Sequence, residues 1–456
     1  MGLLCRRVLP DQQAIFQAKT YLDANICPVV RGIDRSQSNV TRPLVAVGYG
    51  PRCVPVMQLV EAAAGLCDLL WMIDGSLADM SQMADLLNRF GPVVDINGMG
   101  VEQIAKSLSA YEPDGLATYL DAGMVAYADV AEALHLPFHS AATAAALTDK
   151  AEQRQVLARA GLPMPASRVI RPEDSPTRVA EVGSEVGWPA VLKPRSAQGS
   201  RYTFLAQDAQ ELDRLLEALG PERPVMVLEG YLADDPARAG DTYAAYVSVE
   251  SVVAGGVISH LALTGRFPLA ENFRETGFFI PSALDDAEQD QVLELATAAI
   301  VGLGVETGCL HTEVKFTPEG PRIIEVNGRV GGGVPEMIGR AAEVPLLELT
   351  LRVALGEQIA IDGPVATDRI GYRFFLQPPA VSATVAAIAG VERVSDHPGV
   401  DSISMHQGPG ADLDWRDGSR THIMSVVGSA ADYLELQAVY QLLHQEVTVT
   451  YADVRR

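Results

Sequence analysis

The first third of the chain alternates short apolar runs with segments of helical periodicity, and this rhythm restricts the fold more than any other feature. Four apolar runs are predicted to be buried strands, at residues 43–47, 68–73, 92–96 and 115–119. The helices predicted to follow them include one that Ser76 caps and that reaches Phe90, and a later one that ends near Leu134. Strands that alternate with helices form a parallel sheet with helices on its faces. An α/β domain is therefore expected at this end of the chain.

The rest of the chain has a different pattern. The middle third is rich in predicted strands, and it contains a helix over residues 148–160 and a long amphipathic helix over residues 286–303. After Leu355, short strands, glycines and prolines return, with one helix over residues 430–445 and an apolar last strand over residues 447–451. We therefore expect a strand-rich central region and a small C-terminal α+β unit.

Bulk composition narrows the classes of partner. The chain has 456 residues, of which 48% are hydrophobic, and this length fits about two to four packed units of the usual size. Its 35 basic and 58 acidic residues give a net charge of −23, and such a surface repels nucleic acid and anionic membranes. The five cysteines include no CxxC pair, so neither a disulfide framework nor a zinc site is expected. This cysteine usage favours a location in the reducing cytoplasm. The first residues lack the apolar core of a signal peptide, and no apolar run is long enough to span a bilayer.

The strongest chemical signal is a predicted hairpin that carries two acidic side chains. Its strands, residues 311–316 and 321–326, carry Glu313 and Glu325 and are joined by a Thr-Pro-Glu-Gly turn. Facing residues of antiparallel strands bring their side chains within about 5 Å, so two carboxylates placed in this way repel each other unless a cation lies between them. Asn327 lies two residues beyond Glu325 and projects from the same face. Two carboxylates and an amide oxygen are hard ligands that suit Mg²⁺.

The segment after the hairpin favours this interpretation. Residues 328–333 (Gly-Arg-Val-Gly-Gly-Gly) put Arg329 beside the carboxylates, followed by a glycine-rich turn. Glycines allow backbone N–H groups to approach an anion, and a guanidinium can clamp a carboxylate or a phosphate with two hydrogen bonds. The alternative is an exposed hairpin whose acidic side chains are merely solvated. Apolar flanking residues such as Val314, Ile323 and Val326 favour a strand near the core.

Lys193 is the second signal. It ends an apolar strand, residues 190–193, and leads into a small glycine-containing loop, residues 194–201, as a phosphate-binding lysine often does. The alternative is a surface lysine that leaves a strand, and the same two interpretations apply to Lys150 at the start of a helix. A third segment, residues 225–232, predicts either contacts to an adenine edge or an ordinary strand and loop. The chain contains no GxxxxGK[ST] motif, so a Walker-type phosphate site is excluded.

The order of these features along the chain resembles the ATP-grasp superfamily. The residues in this order are Lys150, Lys193, Glu229-Gly-Tyr-Leu232, Glu250, Glu275-Thr-Gly277, Glu313, Glu325-Val-Asn327 and Arg329-Val-Gly-Gly332. Within the superfamily, the chain looks most like the L-amino acid ligases that make dipeptides, which are related to the bacilysin dipeptide synthetase and to the biotin carboxylase-like fold. The resemblance runs from about residue 114 to the end of the chain.

The resemblance implies an architecture of three units that combines the α/β and α+β classes. Residues 1–113 would form a doubly wound preATP-grasp domain. Residues 114–355 would form the ATP-grasp region, with a lid over roughly residues 165–235, and residues 356–456 would form a C-terminal α+β lobe. The expected fold is therefore an ATP-grasp fold of the biotin carboxylase-like kind.

The resemblance also implies roles for individual residues. ATP would be bound by Lys150, Lys193, Ser196, Gln198, Gly199, Ser200, Glu229, Tyr231 and Leu232. Mg²⁺, with Mn²⁺ as a substitute, would be bound by Glu313, Glu325, Asn327 and Glu275. The substrate would be bound by Glu275, Arg329, Gly331 and Gly332, and the catalytic residues would be Arg329 and Lys193.

The implied activity is the ATP-dependent joining of two amino acids, or of an amino acid and an amine, through an acyl phosphate with release of ADP and phosphate. The enzyme would be cytoplasmic, its partners would be small molecules, and the resemblance is compatible with a homodimer. Two alternatives stay open: another ATP-grasp ligase or carboxylase of the biotin or purine-pathway kind, and a non-catalytic nucleotide-binding regulator. Three departures from the family pattern, Tyr246, Arg266 and Phe278, fall near the expected acceptor pocket, so the sequence does not name the two substrates.

Overall fold

A computed structural model of the chain describes residues 9–10, 42–51, 53–238 and 242–455. Cys5, Cys27 and nearly all of the segment that a signal peptide would occupy lie outside these residues. The three cysteines within them are free thiols. No helix in the described part of the chain is both long enough and apolar enough to cross a membrane.

The N-terminal unit is a parallel sheet covered by helices, as the alternating pattern predicted. The first described strand, β1 (Leu9–Pro10), belongs to another sheet. The strands of the unit are β2 (Leu44–Gly48), β3 (Asp68–Ile73), β4 (Val93–Asp95) and β5 (Gly115–Thr118), in the spatial order β4-β3-β2-β5. All neighbouring pairs are parallel. Its helices are α1 (Val56–Ala63), α2 (Met80–Leu87), α3 (Val101–Ser109) and α4 (Met124–Leu134).

The predicted start of one helix in this unit is wrong. The Ser76 hydroxyl donates to Asp74 Oδ1 at 2.6 Å in a local turn, and α2 begins only at Met80. A serine whose side chain satisfies a turn of its own is not free to cap a helix, and short polar side chains compete for backbone groups in this way.

Two short helices lead from this unit to the lid. Helix α5 (Ala141–Thr148) is followed at once by α6 (Lys150–Arg159), because Asp149 caps α6 by accepting from the N–H groups of Ala151 and Glu152. The region predicted to be a lid, which we continue to call the lid, contains an antiparallel sheet of β6 (Ser167–Ile170), β7 (Ala190–Pro194), β8 (Phe204–Ala206) and β9 (Met226–Gly230), in the order β6-β9-β7-β8. Helices α7 (Pro176–Val186) and α8 (Ala209–Leu219) pack against it.

The central region and the C-terminal lobe share one nine-stranded sheet. The elements of the central region are β10 (Tyr246–Ala254), β11 (Val257–Arg266), β12 (Gly277–Ile280), α9 (Asp286–Gly302), β13 (Gly308–Thr317), β14 (Gly320–Asn327), α10 (Val334–Ala342) and α11 (Leu346–Ala354). Those of the C-terminal lobe are β15 (Ile370–Leu376), β16 (Ser382–Ala389), α12 (Val391–Ser395), β17 (Val400–Met405), β18 (Asp412–Leu413), β19 (Met424–Ala430), α13 (Tyr433–Glu446) and β20 (Thr448–Arg455).

The strand order of the large sheet is β1-β17-β19-β15-β12-β11-β10-β13-β14. A separate small sheet has the order β18-β16-β20. The hairpin of β13 and β14 therefore forms one end of the large sheet. Its edge strand is covered by α6, because the Gln153 side chain accepts from the Val326 N–H at 2.9 Å and donates to the Val326 carbonyl at 2.8 Å. These hydrogen bonds pair backbone groups of the edge strand and hold the strand against α6.

Candidate active site

The register of the hairpin sets its acidic residues face to face, as predicted. Glu313 pairs with Glu325 across β13 and β14, and His311 pairs with Asn327. Residues paired in this way carry their side chains on the same face of the sheet. The hairpin thus assembles two carboxylates, an imidazole and an amide on one surface.

A cation lies beside each of the two carboxylates. Lys150 Nζ lies 2.7 Å from Glu325 Oε1 and also donates to the Ala197 carbonyl at 2.9 Å. His311 Nε2 lies 3.5 Å from Glu313 Oε1. The side chains of Glu313 and Glu325 are still 22% and 20% exposed, so both carboxylates remain open to a ligand on that face.

The predicted metal ligands are of the right chemical kind for Mg²⁺. Among the residues that the structure describes, no three His, Cys, Asp or Glu side chains form a metal site by themselves. The predicted set instead combines Glu313 and Glu325 with the Asn327 amide, whose Oδ1 lies 3.4 Å from an Arg329 nitrogen. Oxygen donors of this kind suit Mg²⁺, which takes its remaining ligands from water and phosphate. The assignment of these residues, and of Glu275, as ligands stays a prediction.

Lys193 lies at the end of β7, beside an acidic residue of the neighbouring strand. Its Nζ lies 2.6 Å from Glu229 Oε2, and both side chains are buried. Burial alone would raise the pKa of Glu229, but Arg154 and Lys193 lower it to about 2. The Glu229 carboxylate is therefore charged and engaged by two cations, so a contact with adenine at this residue would have to come from its backbone.

Arg154 is a site residue that the sequence analysis missed. Its Nε lies 3.0 Å from Glu229 Oε1, and its guanidinium also donates to the Ile324 carbonyl of β14. This buried side chain therefore ties the strand that carries Glu229 to the strand that carries Glu325. A signal was present, because Arg154 lies four residues after Lys150 and so shares one face of α6 with it.

The predicted phosphate loop, residues 196–200, is held in place at both ends. The Ser196 hydroxyl donates to the Thr148 carbonyl at 3.0 Å, next to the start of α6. The Ser200 hydroxyl donates to the Phe273 carbonyl at 2.8 Å, in the segment that precedes Glu275. The loop therefore lies between the two predicted lysines and the predicted acceptor site.

Asp121 joins the phosphate loop to Arg329, and the sequence analysis missed it too. Arg329 Nε lies 3.2 Å from Asp121 Oδ1, and the Gln198 side-chain amide donates to the same carboxylate. The Arg329 guanidinium also donates to the Val330 carbonyl at 3.1 Å, which fixes its direction. Asp121 follows the C-terminal end of β5, and ligand sites commonly lie at that edge of a parallel sheet.

The glycine-rich turn after the hairpin packs closely on one side and is open on the other. A Cβ atom on Gly331 would lie 2.5 Å from His311 Nδ1, so no larger residue fits there without displacing that imidazole. A Cβ atom on Gly332 would meet no atom within 4 Å. The turn thus brings backbone close to His311 while leaving room for a ligand at Gly332.

The three departures from the family pattern converge near Glu275. The Arg266 guanidinium lies over the Phe278 ring, 4.2 Å from its centroid, and 5.5 Å from the centroid of the Tyr246 ring. Arg266 Nε lies 3.9 Å from Glu275 Oε1. Burial raises the pKa of the Glu275 carboxyl to about 7, although Arg266 lowers it. The negative charge of the Glu275 carboxylate is therefore only partly compensated by the cations around it.

His311 is held by a buried acid beneath it. Its Nδ1 lies 2.9 Å from both oxygens of Glu250, and the hydroxyls of Ser248 and Thr264 donate to Glu250 at 2.9 and 2.8 Å. Burial alone would lower the pKa of His311, but Glu250 raises it to about 9. His311 is therefore protonated at neutral pH, and its Nε2–H points toward Glu313.

The segment after β9 is fixed between the lid and the hairpin. The Tyr231 N–H donates to the Pro189 carbonyl at 3.0 Å, and Lys315 Nζ lies 4.9 Å from the centroid of the Tyr231 ring. The next residue, Leu232, is partly buried. The predicted contacts of Tyr231 and Leu232 with adenine stay predictions.

Comparison with known proteins supports the ATP-grasp assignment. Residues 147–336 match the RimK-like ATP-grasp domain. The protein y4rH of Sinorhizobium fredii, which is uncharacterized, is 30% identical over 275 residues, or 58% of this chain and 53% of that protein. Alanine–anticapsin ligase of Bacillus subtilis is 27% identical over 248 residues, or 51% of this chain and 52% of that protein. The chain thus spans about half the length of these curated relatives.

The fold as a whole resembles that of a solved enzyme. The crystal structure of the L-amino acid ligase from Bacillus licheniformis superposes with a TM-score of 0.70 at 19% sequence identity, covering 91% of this chain and 100% of that one. The expected ATP-grasp fold, with its mixture of α/β and α+β architecture, is confirmed. The boundaries of the three units stay predictions.

Proposed function

We propose that this chain, whose residues 147–336 form a RimK-like ATP-grasp domain, is an ATP-dependent carboxylate–amine ligase. The acid substrates that we infer are amino acids, which would be joined to a second amino acid or to another amine. The observation that carries the proposal is the pair of facing acids, Glu313 and Glu325, with Arg329 and two buried lysines around them. The likeness to alanine–anticapsin ligase supports the choice of amino acids as substrates.

The chemistry that we propose has two steps. A carboxylate oxygen attacks the γ-phosphorus of ATP, the bond to ADP breaks, and an acyl phosphate forms. The amine then attacks the acyl carbon, its proton is lost, and inorganic phosphate leaves. A free carboxylate is a poor electrophile, so the first step is needed to provide a leaving group for the second.

The buried lysines are suited to hold the triphosphate. Lys150 and Lys193 lie on either side of the site, at the start of α6 and at the end of β7, and each contacts a single carboxylate. Phosphate oxygens would compete with Glu325 and Glu229 for these ammonium groups. The exchange of one anionic partner for another keeps the buried lysines paired, which lowers the cost of binding.

Glu313, Glu325 and Asn327 are the residues that we propose for Mg²⁺, and a bound Mg²⁺ would neutralise charge on the phosphates. Arg329 would orient the substrate carboxylate and stabilise the acyl phosphate. Its guanidinium is held by Asp121 and the Val330 carbonyl, so its direction is set before a substrate binds. A donor fixed in advance stabilises developing charge without reorganisation.

The proposed function is tested by the products. The purified full chain is incubated with ATP, Mg²⁺ and defined pairs of amino acids, and ADP, AMP and new amides are measured by mass spectrometry. We expect ADP and one or more amides, formed only when both an acid and an amine are present. Formation of AMP and pyrophosphate would contradict the proposal, because the γ-phosphoryl group would then not be the one transferred.

The same assay separates the remaining alternatives. ADP release that bicarbonate stimulates and that no amino acid stimulates would indicate a carboxylase. ATP binding without turnover in any substrate pool would indicate a nucleotide-binding regulator. Arg329→Ala serves as the site variant, and Arg340→Ala serves as its control, because Arg340 pairs with the surface residue Asp401. A cytoplasmic location and a homodimer remain part of the proposal.

A further inference from the structure

A short helical segment of the C-terminal lobe, Trp415–Thr421, contacts the end of the phosphate loop. We call this segment the C-terminal clasp. The Ser419 N–H donates to the Gly199 carbonyl at 2.9 Å, and the Tyr202 N–H donates to the Arg416 carbonyl at 2.8 Å. Two backbone hydrogen bonds that run in opposite directions fix the position of the loop against the clasp.

Side chains reinforce this contact. Arg201 Nε lies 3.2 Å from Asp417 Oδ1. The rings of Phe204 and Trp415 meet edge to face, with centroids 5.5 Å apart. The clasp is thus joined to the lid by an ion pair and an aromatic contact as well as by the backbone.

Gly418 sets how closely the two segments approach. Its φ is 68°, in the region that favours glycine, and a Cβ atom there would lie only 2.2 Å from the Gly199 carbonyl oxygen. A side chain at Gly418 would therefore both strain the clasp and push the phosphate loop away from it. The close approach depends on this residue.

Ser419 also contacts the acceptor side of the site. Its hydroxyl oxygen accepts from the Glu275 N–H at 3.0 Å, while the Gln377 side-chain amide donates to the Glu275 carbonyl at 2.7 Å. One residue thus binds the phosphate loop through its backbone N–H and the Glu275 segment through its hydroxyl. The Ser200–Phe273 hydrogen bond links the same two segments directly.

The clasp borders a polar cavity, so one side of its contact with the lid is lined by polar groups. The cavity has a volume of about 350 Å³ and is lined by Arg201, Gln407, Asp412, Asp414, Asp417 and Arg420 among others. On the cavity side, opening the contact exposes mainly charged and polar groups, and the apolar surface that it exposes is that of the Phe204–Trp415 contact. A closure of this kind is reversible, as a lid that admits and releases ligands must be.

We propose that Ser419 is a positioning residue that couples closure of the phosphate loop to the acceptor site. This inference rests on the proposed ligase function. The clasp holds the phosphate loop closed while it holds the Glu275 segment in place, so the acyl phosphate is shielded from water until the amine attacks. Loss of the coupling lets water compete with the amine, which releases ADP and phosphate without forming an amide.

The test uses Ser419→Ala in the full chain, with ADP and amide measured in the same reaction. The substitution removes the hydroxyl that accepts from Glu275 and keeps the backbone bond to Gly199. One lost hydrogen bond changes an equilibrium by about two- to tenfold, and we expect the ratio of ADP to amide to rise by that factor. Ser429→Ala is the matched control, since its hydroxyl accepts an exposed hydrogen bond from Arg369 at 3.4 Å, and its ratio should equal that of the wild type. An unchanged ratio in Ser419→Ala would overturn the proposal.

A charge exchange tests the clasp without removing a polar group from the site. Arg201→Asp alone should raise the ratio of ADP to amide, and Arg201→Asp combined with Asp417→Arg should bring it back toward the wild-type value. If the double variant had the same ratio of ADP to amide as the single variant, the proposed role of the clasp would be contradicted.

Hydrogen exchange of residues 196–204 separates this inference from the proposed function. In the wild type, adding ADP and Mg²⁺ should slow exchange in these residues, and in Ser419→Ala the slowing should be weaker. If the wild type makes no amide but this difference is found, the ligase proposal fails and the positioning role stands. If amides form but exchange is identical in both proteins, the positioning role fails and the ligase proposal stands.

Discussion

The two halves of the candidate site differ in how their buried charges are paired. In the nucleotide half, Lys193 lies 2.6 Å from Glu229, and Lys150 lies 2.7 Å from Glu325. In the acceptor half, Arg266 lies 3.9 Å from Glu275, and burial raises the pKa of that carboxyl to about 7. Each carboxylate of the first half is therefore closely paired with a lysine, although burial still lowers the pKa of Lys193, whereas the ion pair of the second half is longer.

The difference fits the ligands that we propose for each half. A triphosphate is strongly anionic, so its site needs cations that are kept paired until it arrives. The ammonium group of an acceptor is a cation, so its site needs an acid whose charge is left partly unbalanced. A buried acid with a raised pKa gains most from such a partner.

Removal of the Glu229 charge should have the largest effect, because it leaves two buried cations, Arg154 and Lys193, without the carboxylate that pairs with both. Glu229→Gln should destabilise the folded protein by about 3–5 kcal/mol, as breaking a buried ion pair does. Urea unfolding at pH 7 measures the change. Asp401→Asn, which breaks a partly exposed pair with Arg340, is the control and should cost much less. If Glu229→Gln lowered the free energy of unfolding no more than the control does, Glu229 would not stabilise the buried cations of the nucleotide half.

Removal of the Arg329 guanidinium should have the next largest effect, on catalysis instead of stability. Arg329→Ala should lower the rate of amide formation by about 10²–10³, the usual loss for one fixed donor at a developing anion. Stopped-time assays of amide with saturating ATP measure it, with Arg340→Ala as control. Arg329 lies between the two halves, so ATP affinity should stay near that of the wild type. A variant that loses ATP affinity but keeps its rate would assign Arg329 to the nucleotide half.

A third variant, at Lys193, tests whether the two halves of the site bind different substrates. Lys193→Met should raise the KM for ATP by about 10- to 100-fold, because a hydrogen bond to a charged group contributes about 1.5–3 kcal/mol. The KM for the amine should stay unchanged, since Lys193 contacts Glu229 and not the Glu275 segment. Initial rates over a grid of both substrate concentrations measure the two constants. Equal increases in both would remove the distinction between the halves.

The smallest effect that we expect is a dependence of stability on pH from Glu275. Its folded-state pKa of about 7 lies above its ordinary value of 4.5, so the folded protein binds more protons than the unfolded chain between these two values. Stability is therefore greatest below pH 4.5 as far as this group is concerned, and it is lost as pH rises through 7. Between pH 5 and pH 7 the loss should be about 2 kcal/mol.

Urea unfolding without divalent cations measures this loss, and Glu275→Gln should remove it. In the nucleotide half, Glu229 should make stability depend on pH in the opposite direction, and at lower pH. Because the folded-state pKa of Glu229 is about 2, the stability it contributes is lost as pH falls from 4.5 toward 2. An identical pH dependence in wild type and Glu275→Gln would contradict the raised pKa.

Much of the fold follows from local patterns in the sequence. The strands of the N-terminal sheet are nearly continuous apolar runs, which is the pattern of parallel strands buried on both faces, and all four are found close to their predicted positions. The hairpin register was predictable for a related reason, since side chains alternate with a period of two and the turn is short. Ser76 failed as a helix cap because the competing turn with Asp74 depends on local geometry that propensity does not encode.

The parts of the site that the sequence did not predict depend on tertiary contacts. Arg154 meets Glu229, Asp121 meets Arg329, and Ser419 meets Glu275, and the partners lie 75, 208 and 144 residues apart in the chain. Each of these residues looks ordinary within its own segment. They acquire a role only because the lid, the hairpin and the C-terminal lobe fold onto one another.

The transfer of oxygen from the acid to phosphate tests the central claim most directly. The full chain is given ATP, Mg²⁺, an amine and an amino acid whose two carboxylate oxygens are both ¹⁸O, and the inorganic phosphate released is analysed by mass spectrometry. If the carboxylate attacks the γ-phosphorus, one ¹⁸O atom should appear in the phosphate for each amide formed. Amide formation with unlabelled phosphate, or with label in AMP, would contradict an acyl phosphate and the ligase mechanism derived from this site.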